Sequence, residues 1–129
     1  MPGTPRTDLE IDLYVILDRA ASRGRDLREI LDGVIRGGGR IVQFREKEWP
    51  SRRCLPLLED LRNRAKSAGI RFAVNDRLDL ALAAEADGFH IGQDDLPAPL
   101  ARKLLPPSMF LGVSTHCLEQ ARRARRPRG

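Results

Sequence analysis

Five short apolar runs recur along this chain, at residues 13–17 (LYVIL), 41–44 (IVQF), 72–74 (FAV), 88–91 (GFHI) and 110–113 (FLGV), and each stops abruptly at polar residues. The stretches between them carry helical spacing. After Asp26, a residue type that caps helices, Leu27, Ile30, Leu31, Val34 and Ile35 fall on one face. Gly37–Gly38–Gly39 then reads as a helix end and tight return, not a phosphate cradle, because it follows a helix and precedes a strand. Ser51 is expected to cap a second helix with Leu55, Leu58, Leu61 and Ala65 as its buried stripe and Gly69 past its end. A Leu/Ala segment at 78–86 reads as a third helix. Pro97 opens a short fourth containing Leu100 and Leu104, and residues 117–124 begin a fifth. Apolar strands alternating with amphipathic helices predict an α/β fold whose parallel strands are joined by helical crossovers.

Hydrophobic residues are 41% of the 129 and charged residues 32%, which excludes global disorder and suits one domain with a real core. No apolar run approaches the roughly 20 residues of a membrane helix, and the first twelve residues read as a loose tail without the apolar core of a secretory signal. The formal charge of +5 raises a nucleic-acid reading. Arg122, Arg123, Arg125, Arg126 and Arg128 against Glu119 alone supply +4 of it, leaving +1 for residues 1–117, so the basicity is a terminal patch. That patch lacks interleaved aromatics, which weakens a single-strand-binding role. Cys54 and Cys117 have no metal-ligand or CxxC spacing and read as free thiols of a reducing, cytoplasmic protein.

Unusual polar residues sit immediately after strands: Gln43 to Lys47, Asn75–Asp76, Gln93 to Asp95, and Ser114. Parallel neighbours put their C-terminal ends on one edge of a sheet, where both (β/α)8 barrels and open doubly wound sheets bind ligands. The absence of G-x-G-x-x-G after the first strand counts against a dinucleotide fold. Asp76 and Asp95 would face a shared crevice as two hard oxygen ligands for one divalent cation. Alternation puts Gln43, Arg45 and Lys47 on one face, two cations and an amide that suit an anion. With Asn75 and Ser114 added, the set suits a diphosphate and its Mg²⁺, so the chemistry expected is leaving-group stabilisation, not covalent catalysis. Blander readings remain open at this point: Asn75–Asp76, Asp94–Asp95 and Ser114–Thr115 as helix caps, His90 as a core histidine, His116 and Asp79 as surface residues.

The motifs LYVILDR, GGGRIVQFREKE, FAVNDRLDLALAAEADGFHIGQDDLP and LGVSTH, in this order from about residue 13 to about residue 118, resemble those of the thiamine phosphate synthase family. The resemblance implies a TIM (β/α)8-type barrel. It also implies a transferase that joins hydroxymethylpyrimidine pyrophosphate to a thiazole phosphate with release of pyrophosphate. Its C–O bond breaks first, and the thiazole nitrogen traps the pyrimidine-stabilised cation. By the same resemblance Arg45, Lys47 and Ser114 are catalytic and, with Asn75, hold the pyrophosphate. Gln43 contacts the pyrimidine, His90 lines its pocket, and Asp76 and Asp95 ligate Mg²⁺. A thiazole tautomerase relative and a fragment binding nucleic acid or a partner through its arginine-rich end are the alternatives.

The expected organisation is a tail at 1–12, a partial barrel of about five β/α units at 13–118 and a basic tail at 119–129. A full barrel takes at least about 200 residues, and the threonine–proline–threonine–lysine loop that holds the family's thiazole phosphate has no counterpart in this sequence. A truncated chain with impaired synthase activity, oligomeric or completed by a C-terminal half, is therefore the expectation.

Overall fold

A computed structural model describes residues 13–125. The tail expected at 1–12 and the last four residues of the basic end lie outside the described residues. Five strands, β1 (Tyr14–Asp18), β2 (Ile41–Arg45), β3 (Arg71–Asn75), β4 (Gly88–Ile91) and β5 (Phe110–Val113), alternate with five α-helices. These are α1 (Leu27–Arg36), α2 (Ser51–Ser67), α3 (Leu78–Ala83), α4 (Ala98–Leu104) and α5 (Leu118–Arg125). All pairings are parallel, in the unbroken order β1-β2-β3-β4-β5. A doubly wound sheet reverses its strand order at a switch point. This one never does, and since parallel crossovers are right-handed as a rule, its helices fall on one face, where α1 packs against α2 and α2 against α3. That is the topology of consecutive units of a barrel.

The helix-facing side chains make the core: Leu17 from β1, Val42 and Phe44 from β2, Phe72 and Val74 from β3, Phe89 and Ile91 from β4. Leu27 and Leu31 of α1 close over them, as do Cys54, Leu58, Leu61 and Ala65 of α2. The α2 stripe thus runs through Cys54, while Leu55 packs only partly. The thiol behaves as a small apolar group, and i, i+4, i+7, i+11 is the better helical stripe. Asp26 caps α1 as expected, accepting from Arg28 N–H at 2.9 Å. Gly37 ends that helix, and Gly38 takes the left-handed φ of +84° that the return requires.

Alternation sends the other residues to the opposite, barrel-inner face: Ile16 and Asp18, Gln43 and Arg45, Ala73 and Asn75, Gly88 and His90, Phe110 and Gly112. A run as apolar as LYVIL reads as a strand buried on both faces, and here the structure departs from that expectation. Ile16 is 52% exposed, because the helices cover only the outer face of that strand. On the inner face Phe110 lies directly opposite Gly88, and a Cβ at residue 88 would come within 2.2 Å of the Phe110 ring. Gly88→Ala is expected to cost about 1–3 kcal/mol through overpacking, read as a lower urea midpoint. Most of the loss should return in Gly88→Ala/Phe110→Leu.

Candidate active site

The strand C-termini bring the polar groups to one edge, and the tightest juncture is at the end of β3. Asn75 is paired with His90 of β4 in the sheet register. The chain then turns sharply. Arg77 N–H donates to the Asn75 carbonyl at 2.6 Å, and Asp76 N–H donates to the His90 carbonyl at 2.7 Å. Asp76, held between these bonds, has φ +63°. A left-handed non-glycine residue stores strain that persists only where the surroundings impose it, and such residues cluster at functional sites.

The turn aims the Asp76 carboxyl at Asp95. The two carboxyl groups lie within hydrogen-bonding reach. Burial, then the hydrogen bond and charge of Asp95, push the Asp76 carboxyl above its ordinary value. Burial pushes Asp95 the same way. The Gly92 N–H (2.6 Å from Oδ2), the hydrogen bond from Asp76 and the Lys47 charge outweigh it and hold Asp95 low. Of the pair, Asp76 is therefore the weaker acid and Asp95 the stronger. Neither residue caps a helix: α3 starts after Arg77 and α4 after Pro97, both without a side-chain cap.

Lys47 lies past the end of β2, exposed, and its charge acts on both aspartates. With Trp49, Asn75, Asp76 and Arg77 it lines a cleft of about 380 Å³. Arg45, by contrast, is drawn to the neighbouring strand, where it pairs with Asp18 at 2.5 Å. Gln43 is buried, and its amide donates to the Tyr14 hydroxyl at 3.3 Å. The Tyr14 ring stands edge-on to His90, 6.3 Å between centroids. His90 Nε2 lies 2.7 Å from Ser114 Oγ. Burial holds the imidazole below its ordinary pKa, against the pull of Asp95. Gln93 ties the β4 end to the β5 end by donating to the Ser114 carbonyl at 2.7 Å. The predicted residues therefore form two groups on one edge. Lys47, Asn75, Asp76 and Asp95 make one. Gln43, His90 and Ser114 make the other, linked by Tyr14 and joined to the first through the Asn75–His90 pairing. Arg45 sits on Asp18 beside them.

Several positioning residues escaped the sequence reading. Glu46 is buried, ion-paired to Arg19 at 2.5 Å, and accepts from the N–H groups of Glu48 and Trp49. Arg77 donates to the carbonyls of Glu46 and Trp49 and to Ser51 Oγ, pinning the β2–α2 loop over the β3 turn. Ser51 is consequently no cap: α2 begins after Pro50 without one, and the Ser51 hydroxyl donates instead to Asp79 at 2.6 Å. The Trp49 ring is sandwiched by the guanidinium groups of Arg19 and Arg53. The available signal was charge density in FREKEWPSRR, which pattern alone cannot apportion between surface and buried pairs.

Unbroken parallel order, one-sided helices and polar groups gathered at the strand C-termini define the class: consecutive units of a β/α barrel. The family described as Thiamine monophosphate synthase matches residues 13–128, and the chain belongs to it. The chain is 50% identical over 113 residues to the thiamine-phosphate synthase of Moorella thermoacetica, covering 88% of this chain and 54% of that protein. It is 45% identical over 114 residues to the thiamine-phosphate synthase of Roseiflexus castenholzii, covering 88% and 50%. Among solved structures, the thiamine phosphate pyrophosphorylase from Pyrococcus furiosus superposes with a TM-score of 0.79 at 32% identity, covering 88% of this chain and 55% of that one. The chain thus spans about half the length of the curated relatives it matches. Neither the tautomerase reading nor the nucleic-acid reading of the arginine-rich end gains support from these comparisons. Among the described residues no helix is long and apolar enough to cross a membrane.

Proposed function

We propose that residues 13–118 form the hydroxymethylpyrimidine-diphosphate side of a thiamine phosphate synthase active site, in a cytoplasmic biosynthetic enzyme. The observation that carries this reading is the strained Asp76, whose turn aims its carboxyl at Asp95. Two carboxylates facing each other at a strand edge mark a place where a cation would relieve their repulsion. Among the described residues no cluster of three His, Cys, Asp or Glu side chains forms there. Two carboxylates are the small protein share that Mg²⁺ takes when phosphate oxygens and water complete its shell. When bound, Mg²⁺ would neutralise charge developing on the departing diphosphate.

The chain's own groups do the remainder. Lys47, at the cleft mouth, and Arg45, once exchanged from Asp18, supply positive charge to the diphosphate. Asn75 and Ser114 supply neutral donors. Gln43 and His90, packed with Tyr14 on the inner face, line the pyrimidine pocket. As the C–O bond breaks, its electron pair leaves with the diphosphate, and these preorganised donors stabilise that charge. The thiazole nitrogen then bonds to the pyrimidine methylene carbon. This joining step is proposed for the complete barrel, of which these five strands supply one side. Further strands, on the same or another polypeptide, would supply the thiazole-phosphate side.

Titration calorimetry of the chain with hydroxymethylpyrimidine diphosphate is the test. Binding is expected with Mg²⁺ and to be lost on adding a chelator. The single tryptophan, Trp49, lines the same cleft, so its fluorescence should change over the same concentration range. Equal binding with and without Mg²⁺, or none at all, would contradict the reading.

A further inference from the structure

The His90–Ser114 contact has a direction that the heavy-atom distance alone leaves open, and the surroundings of the ring decide it. His90 Nδ1 is buried and has no hydrogen-bond partner. It faces Gly112 on β5, where even a Cβ would lie 2.5 Å from Nδ1. A proton on Nδ1 would therefore be a buried donor without an acceptor, left with its full desolvation penalty. A bare lone pair against the glycine backbone avoids orphaning an N–H. A neutral imidazole carries one N–H, so the proton belongs on Nε2, which then donates to Ser114 Oγ at 2.7 Å. The serine is fixed in place by its own N–H on the Ile91 carbonyl (2.9 Å) and by Gln93 on its carbonyl (2.7 Å).

We propose that His90 is a positioning residue that makes Ser114 a one-way donor: the imidazole N–H fills an oxygen lone pair, and the hydroxyl hydrogen is left for the diphosphate oxygen that departs. The opposite polarity, a bare Nε2 accepting the serine proton, would make the pair a general base and nucleophile. The ring's placement on Gly112 argues against it. The inference deepens the proposed diphosphate site and rests on it.

The test uses the 129-residue chain carrying His116→Gln, which leaves His90 as the only histidine. Two-bond proton–nitrogen NMR correlations at pH 7.5 are expected to show a protonated Nε2 and a bare Nδ1. Affinity for inorganic diphosphate with Mg²⁺ is then measured in variants. His90→Leu and Ser114→Ala should each lose about tenfold, the cost of one such hydrogen bond. The double variant should lose no more than either alone, and His90→Gln, which keeps a donor at the Nε2 position, should recover most of the loss. A protonated Nδ1, or additive losses, in a chain that still binds diphosphate would overturn this inference alone. A wild-type chain that binds no diphosphate would sink the proposed function and remove the recipient of the serine's hydrogen with it.

Discussion

Replacing Asp76 with Asn is expected to weaken Mg²⁺-dependent diphosphate binding by at least roughly 100-fold, the upper end of what losing even an outer-shell partner costs a metal site. The metal-free chain should not be destabilised, and at neutral pH it should gain stability. Asn is the informative choice because it tolerates the left-handed φ of +63° at this position. It also keeps a donor for Asp95 while removing the second charge. The pH dependence follows from the sign of the shift. Asp76 sits above its ordinary 3.8, so the folded chain holds this proton more tightly than the unfolded one. That contribution is fully present below 3.8 and is lost as pH rises through the raised folded value. Asp95, held low, contributes the opposite trend, present above 3.8 and lost as pH falls. Asp76→Asn removes only the first. Urea unfolding of the two proteins should therefore diverge upward from pH 4, with the variant the more stable near pH 7. A variant that loses stability and keeps Mg²⁺-dependent binding would show that the pair is structural.

The second large effect is expected at Glu46. Glu46→Ala should destabilise the chain by about 2–4 kcal/mol, because it removes the partner of Arg19 Nε and of two backbone N–H groups at a site only 4% exposed, leaving Arg19 only its partly exposed pairing with Glu48. Burial raises the pKa of this carboxyl, but Arg19 and the N–H groups of Trp49 and Glu48 more than offset it, so the net direction is down. Its stabilisation is present above the ordinary value of 4.5 and is lost as pH falls through the lower folded value. Wild-type stability should accordingly drop on acidification below about pH 4.5 by more than that of Glu46→Gln. Because Glu46 fixes the loop that carries Lys47 and Trp49, the alanine variant should also lose diphosphate affinity and the Trp49 fluorescence response. Unchanged urea midpoints would show that the Arg19–Glu46 pair is too solvated to matter.

The strand–helix alternation was legible because each strand is apolar on the face the helices cover; each strand boundary fell within one residue of the structure, while α3 stops three residues short of the expected 78–86. The acidic pair was legible for a related reason. Parallel strands put residues 76 and 95 on one edge whatever the side chains do. Strand order was not legible, since alternation alone serves open sheets and barrels alike; the unbroken order resolved it. The exposure of Ile16 was also hidden, because hydropathy reads what a residue is and not whether a neighbour arrives to cover it. Local chemistry was ambiguous where a polar side chain had two partners within reach. Ser51 has the type and position of a cap, yet Arg77 and Asp79 compete for its hydroxyl and win. Arg45 alternates correctly onto the inner face, but Asp18, its register partner on β1, holds it there. Tyr14, buried in a run that reads as plain strand, gave no sign that it bridges Gln43 and His90.

The claim on which the site depends is that the turn after β3 and the loop after β4 grip one cation. Mn²⁺ in place of Mg²⁺ tests it directly, because its unpaired electrons broaden the NMR signals of nearby amides. With inorganic diphosphate present, amides at residues 75–77 and 92–96 are expected to broaden together at substoichiometric Mn²⁺, and in Asp76→Asn neither set should. Broadening confined to one of the two segments, or centred elsewhere on the chain, would contradict the account.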